Sequence, residues 1–192
     1  MRQLGILENK RILRVSDNFN RANSIVSPGM ANTGHLWVPG EGVCGIASNE
    51  ICPVSLSVNS VAISVIDSQL SNCKITADII FKTNITSAIV LRTDGTNANR
   101  IAYAINNFGI LLMSRRVSDS STTLASDNTI TFVDGTKYTL TVVCAGNNFK
   151  CFLNNVLKFD ITDDNTLKLN TKCGVLFSPA NGSIDNFKVE AI

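Results

Sequence analysis

One histidine, one tryptophan, six cysteines and fifteen carboxylates are what this chain offers for chemistry. His35 stands alone, so a Ser-His-Asp triad or a His-based acid/base pair would have to be built on it, and its neighbours Leu36 and Trp37 point to a structural or surface place. Glutamate occurs only at Glu8, Glu41, Glu50 and Glu190, and a two-carboxylate hydrolase would need scattered aspartates instead. No enzymatic activity is expected. Cys44, Cys52, Cys73, Cys144, Cys151 and Cys173 form no C-x-x-C pair and have no histidine nearby, which argues against zinc. They read as buried thiols, with a disulfide between Cys144 and Cys151, which flank one expected hairpin, as the alternative.

Binding chemistry has more to work with. A sugar site needs an aromatic ring beside hydrogen-bonding side chains, and Trp37 is a candidate anchor, or else a packed core residue. Arg92, Arg100 and Arg116 fall on or beside consecutive expected strands, where they would share one polar sheet face or simply be solvated. Asp94-Gly95-Thr96-Asn97-Ala98-Asn99 has the oxygen-bearing alternation of a calcium loop but lacks its terminal Glu, and reads as a polar hairpin loop. Charged residues are 17% of the chain and the net charge is +2, without the Lys/Arg stripe that phosphate neutralisation requires, so no nucleic-acid partner is expected.

The elements that must position these residues are strands. Ile85–Arg92, Arg100–Ile105, Tyr138–Val143 and Phe149–Leu153 alternate apolar and polar residues and run into Asp94-Gly95, Asn106-Asn107-Phe108-Gly109, Gly146-Asn147-Asn148 and Asn154-Asn155. Period-two alternation closed by turn residues marks half-buried antiparallel strands. Further strands are expected at His35–Val38, Val43–Ala47, Ile51–Ser57, Val61–Ile66 and Cys73–Lys82, with a helical turn at Asp67–Ser71. The total of about fourteen strands spaced by about 8–12 residues is that of an all-β, two-sheet antiparallel sandwich. Residues 1–15 read as an N-terminal arm or an edge strand, and 16–192 as a single domain. Neither a signal-like apolar stretch nor a membrane-length segment is visible.

Ser16-Asp17-Asn18-Phe19-Asn20-Arg21-Ala22, then Ala88–Arg92, Gly135–Val142, Phe152–Asn155 and the closing Ile184–Val189, resemble in order and spacing the concanavalin A-like, laminin G-like jelly-roll domains. The opening motif is most similar to versions in bacteriophage and bacterial surface proteins. The resemblance implies a jelly-roll scaffold shared by glycan-binding modules, adhesion domains and virion components, so it leaves the function to be found in the site. The fold's glycosidases use a Glu-x-Asp-x-x-Glu strand, which is absent here. First and last strands would be neighbours, bringing Asp17 and Asp185 to a rim where some relatives bind calcium, the one metal expected; no other cofactor is. The first expectation is a non-enzymatic bacteriophage virion component, a capsid decoration or tail protein with weak glycan binding. It would contact other virion or surface proteins through residues 1–15 and form a homo-oligomer. The alternative is a carbohydrate-binding module of a secreted or cell-surface protein.

Overall fold

The computed structural model describes residues 12–163, 167–179 and 181–192. Strands are numbered along the chain. One sheet runs β13 (Val156–Thr162), β12 (Asn148–Leu153), β11 (Lys137–Ala145), β6 (Cys73–Ile80), β15 (Ser183–Ala191), β4 (Glu50–Ser55) and β3 (Val43–Ala47), and β1 (Leu13–Asp17) also pairs with β15. The seven-stranded sheet runs β10 (Ser120–Asp127), β9 (Leu111–Val117), β8 (Arg100–Ile105), β7 (Thr86–Thr93), β14 (Lys172–Ser178), β5 (Ala62–Asp67) and β2 (Val38–Glu41). Every pairing is antiparallel. This is the two-sheet jelly-roll sandwich expected from the alternation.

The reason is legible in β6. Cys73, Ile75, Ala77 and Ile79 are buried, whereas Lys74, Thr76, Asp78 and Ile80 between them stay half-buried. One face therefore leaves water and the other keeps it. The two inner faces meet in a core that includes Phe19, Trp37, Tyr103, Phe149, Phe177 and Phe187. The last two strands close the fold from its centre: β14 inserts between β7 and β5, and β15 between β6 and β4.

Some expectations are corrected. The stretch His35–Val38 is not a strand; Ala31 N donates to His35 O and Trp37 N to Gly29 O, folding this segment on itself before β2 begins at Val38. The helical turn at Asp67–Ser71 is absent, because Gln69 has φ +58, outside the helical region. Of residues 1–15, read as an arm or an edge strand, the last three belong to β1, whose Val15 and Asp17 pair with Val189 and Phe187, and that division of the chain is not among the corrections. The rest of the expected arm, residues 1–11, lies outside the described residues. All six cysteines are free; Cys144 pairs with Phe149 and Cys151 with Val142, so the two flanking thiols do not face each other.

Candidate functional site

Trp37 does not serve as a sugar anchor. Its side chain is 1% exposed, packed edge-on against Phe187 (5.2 Å) and tilted against Phe19 (5.7 Å). Its Nε1 donates to Asp17 Oδ2 at 2.7 Å, and the same carboxylate accepts Phe19 N at 2.9 Å and two Arg21 nitrogens at 2.8 Å each. Arg21 Nε reaches Pro28 O at 2.8 Å. The Asp-Asn-Phe-Asn-Arg opening is thus a latch that fastens the 28–37 segment to β1.

The calcium pairing of Asp17 with Asp185 is likewise not formed. Both Asp17 oxygens are spent on that latch. Asp185 is turned the other way by a β-bulge, since β15 places Asn186 and Phe187 where β6 has only Ala77 between paired residues, and Asn186 has φ +52. It sits opposite Asp78, shares the Asn186 amide with it, and lies 3.6 Å from Lys137 Nζ. Among the described residues, no group of three or more His, Cys, Asp or Glu could hold a metal.

The three arginines divide. Another bulge gives β7 two residues, Leu91 and Arg92, opposite the single Cys173 of β14, and Arg92 takes φ +47. This swings Arg92 inward, where it donates to Ser71 O (3.1 Å), Asn72 Oδ1 (3.2 Å) and Gly146 O (2.6 Å) over the Phe149 ring. Arg92 is therefore a cross-brace between the sheets, and no ligand reaches it. Arg100 and Arg116 do share the outer face of the seven-stranded sheet, as direct register partners on β8 and β9. Arg100 Nη1 donates to Asn97 O at 2.7 Å, and Arg116 lies 3.0 Å from Asp119. Burial and the neighbouring Arg116 lower the Arg100 pKa to about 10.

The β7–β8 loop covers one end of this face. Asn97 N donates to Glu41 Oε1 at 3.0 Å, and Ser57 and Asn59 donate to Glu41 Oε2 at 3.1 and 3.0 Å. Burial alone would raise the Glu41 carboxyl, but these hydrogen bonds hold it below its usual range. The loop can lie this close because residue 40 is glycine: a Cβ there would stand 2.1 Å from Gly95 O. His35, the lone histidine, borders a separate small cavity beside Asp67 and Lys172, with Nδ1 3.1 Å from Thr33 Oγ1.

A residue not singled out in the sequence marks a second place. A groove of about 490 Å³ lies where the loops β6–β7, β8–β9 and β10–β11 meet, and Phe108 on its rim is 79% exposed. Phe81 and Phe132, 5.4 Å apart, wall the groove, and Thr83, Asn84, Asn107 and Thr131 supply its polar edge. No ionisable side chain is among the lining residues. The loops are braced: Asn106 Oδ1 accepts Phe108 N (3.0 Å) and Ile110 N (2.9 Å), and Thr86 Oγ1 accepts Asn107 N (3.1 Å). Thr83 N donates to Asp134 Oδ1 at 2.6 Å, and the Tyr138 hydroxyl accepts Val133 N at 2.9 Å. The available signal was an aromatic residue at a turn tip, between Asn107 and Gly109, where small polar residues are usual.

No family model matches the chain, and no curated protein matches it. Solved structures do. The chain is similar to the carbohydrate-binding module CBM66 from Bacillus subtilis, with TM-score 0.71 and 17% identity over 81% of this chain and 95% of that one. It is also similar to a structure from work on mucin-breakdown-initiating endo-acting O-glycanases of human gut microbiota members (TM-score 0.62, 8% identity, 94% of this chain and 100% of that one). A third is a LamA variant from Z. galactanivorans in complex with laminaritriose and laminaritetraose (TM-score 0.61, 12% identity, 93% of this chain and 98% of that one). At these identities the likeness shows the fold alone. The bacteriophage expectation draws no support from these structures.

Proposed function

We propose that this chain is a non-enzymatic carbohydrate-binding module that holds a neutral glycan in the groove beside Phe108. The observation that carries the reading is the exposed Phe108 ring set among Asn84, Asn107, Thr83 and Thr131. An aromatic face in water is an unspent hydrophobic surface, and a pyranose offers it a patch of C–H groups while its hydroxyls meet the amides and hydroxyls alongside. Covering such a ring contributes about 1.5–3 kcal/mol, roughly one to two powers of ten in affinity. The lining carries no charge, which suits a neutral sugar and leaves acid/base catalysis without a participant there.

Support also comes from the fold, since a carbohydrate-binding module shares it at TM-score 0.71. A module of this kind works outside the cell or on its surface. The virion reading draws on the opening motif, which here fastens Trp37 to Asp17, on the low charge and on residues 1–15 as a docking arm, of which 1–11 lie outside the described residues. Affinity electrophoresis through gels cast with neutral polysaccharides, together with a glycan array, tests the proposal. Retardation by at least one neutral glycan is expected; silence across β-glucans, galactans, fructans and mucin-type glycans would refute it.

A further inference from the structure

We propose that the small cavity beside His35 is a second saccharide site. It takes a single 6-deoxyhexose ring, with the sugar's methyl group against Leu36, Val38 and Val65 and its hydroxyls against His35, Asp67 and Lys172. That the ligand is a sugar rests on the carbohydrate reading above; that it bears a methyl group rests on this cavity alone.

The cavity has a volume of about 250 Å³ and opens on the outer face of the seven-stranded sheet, at its β2 edge. Two walls make it. On one side the Asp17 latch holds Trp37 in the core, so its neighbours Leu36 and Val38 stay outside, 58% and 48% exposed. On the other, the Asp94-Gly95 turn lies over Val65 and Lys172: a Cβ on Gly95 would stand 3.8 Å from Val65 Cγ2 and 3.5 Å from Lys172 Nζ. Val65, 2% exposed, is the floor. The space is smaller than the pockets that hold drug-sized ligands, which suits one ring better than a chain segment.

The polar groups are accessible and only partly used. Lys172 and Asp67 are register partners on β14 and β5, yet Lys172 Nζ reaches instead for Asp94 O at 3.0 Å, and the two charges do not close on each other. Asp67 Oδ1 accepts Thr171 Oγ1 at 2.7 Å and Gln69 N at 2.9 Å, while its Oδ2 has no partner among the described residues. His35 bonds the Thr33 hydroxyl through Nδ1, which leaves Nε2 unpaired among the described residues. One cation and one carboxylate balance, so the complement is a neutral ligand that both donates and accepts, as adjacent hydroxyls do.

The aliphatic lining sets the class of sugar. Leu36, Val38 and Val65 offer no aromatic face for stacking, and a hydroxymethyl group set against them would bury its hydroxyl without a partner. A methyl group there removes apolar surface from water instead. A 6-deoxyhexose carries that methyl on one edge of the ring and adjacent hydroxyls on the opposite edge. The cavity is also separate from the Phe108 groove. Thr86, whose Oγ1 accepts Asn107 N beside Phe108, and Thr93, paired with Lys172, stand at the two ends of β7. At roughly 3.3 Å per residue they are about 23 Å apart, so the two sites would engage different glycan chains or branches.

Titration of ¹⁵N- and ¹³C-methyl-labelled protein with the methyl α-glycosides of L-fucose and L-rhamnose, and with those of L-galactose and L-mannose, which add only the C6 hydroxyl, tests this. Saturable shifts at the Leu36, Val38 and Val65 methyls and the His35 ring are expected with at least one 6-deoxy sugar, its hydroxylated counterpart binding about tenfold more weakly or worse. Asp67→Asn should weaken both members of that pair, and Leu36→Ser should narrow the gap between them. Equal binding of the two members, shifts confined to the Phe108 groove, or an unchanged Asp67→Asn would overturn the proposal. Neutral glycans shifting the Phe108 groove while all four glycosides leave the cavity unmoved would remove this site alone and leave the module reading standing. Deoxy-sugar shifts here beside a silent Phe108 groove would support this site and remove the groove. The wild-type shift map decides the matter even where a variant fails to fold.

Discussion

The indole Nε1 of Trp37 donates to Asp17 Oδ2 across 2.7 Å, at a position where both residues are 1% exposed. Four donated hydrogen bonds converge on that carboxylate, from Trp37, Phe19 N and two nitrogens of Arg21. Removing it strands buried donors and a cation together. Asp17→Ala is expected to cost about 3–5 kcal/mol, the scale for breaking a buried charged pair. Urea unfolding followed by Trp37 fluorescence measures it; a loss below about 1 kcal/mol, within the range of surface pairs, would show the latch to be dispensable.

Gly40→Ala addresses the loop that shapes the sheet-face cluster. The added methyl would meet Gly95 O at 2.1 Å, so the β7–β8 loop must lift and Asn97 N must leave Glu41. A destabilisation of about 1–3 kcal/mol is expected, as for overpacking, with amide shifts at Asn97 and Glu41 in the spectrum. Unmoved Asn97 signals would contradict the contact.

The buried thiols should be inert. Burial pushes Cys44, Cys73 and Cys151 up to about 12 and Cys144 to about 11, and it raises Cys173 as well. Thiolate is the reactive form, so a thiol-reactive dye at pH 8 is expected to label these five only as the protein unfolds. Half-buried Cys52 should react first. Rapid labelling of several cysteines in the native protein would be the contrary result.

Acid should destabilise the fold over a defined window. The Thr171 hydroxyl and Gln69 N hold Asp67 below its usual pKa, and Glu41 and Asp94 end below theirs because hydrogen bonds outweigh the effect of burial. A carboxylate with a depressed folded pKa contributes stability above its unfolded value, about 4, and loses it as pH falls through the folded value. The urea midpoint should therefore be level from pH 8 to about 5 and drop below about 4. Glu41→Gln should flatten part of that drop; an unchanged profile would count against the bonds to Asn59, Asn97 and Ser57.

Architecture was readable wherever the local pattern was regular. Val43–Ala47 and Arg100–Ile105 appear as strands with the expected bounds, because each is a short, mostly apolar run that turn residues close off. The site was less readable, and the cause is local. Period-two counting puts Arg92 on the face of Ala88 and Val90, but one extra residue in β7 reverses it, and a similar insertion turns Asp185 away from Asp17. Trp37 looked available because nothing in its neighbourhood announces an Asp twenty positions earlier as its partner. Phe108 stands inside a run of turn residues, Asn106-Asn107-Phe108-Gly109. Turn chemistry accounts for Asn106 and Gly109, whose side-chain bonds and φ of +70 shape the loop, and leaves the exposed ring between them unexplained.

Calorimetric titration of Phe108→Ala and Phe108→Trp with the tightest neutral glycan tests the groove most directly. Affinity should fall about tenfold or more in the alanine variant and be kept in the tryptophan one, because stacking area is what the ring contributes. Equal affinity for wild type and Phe108→Ala would contradict the account.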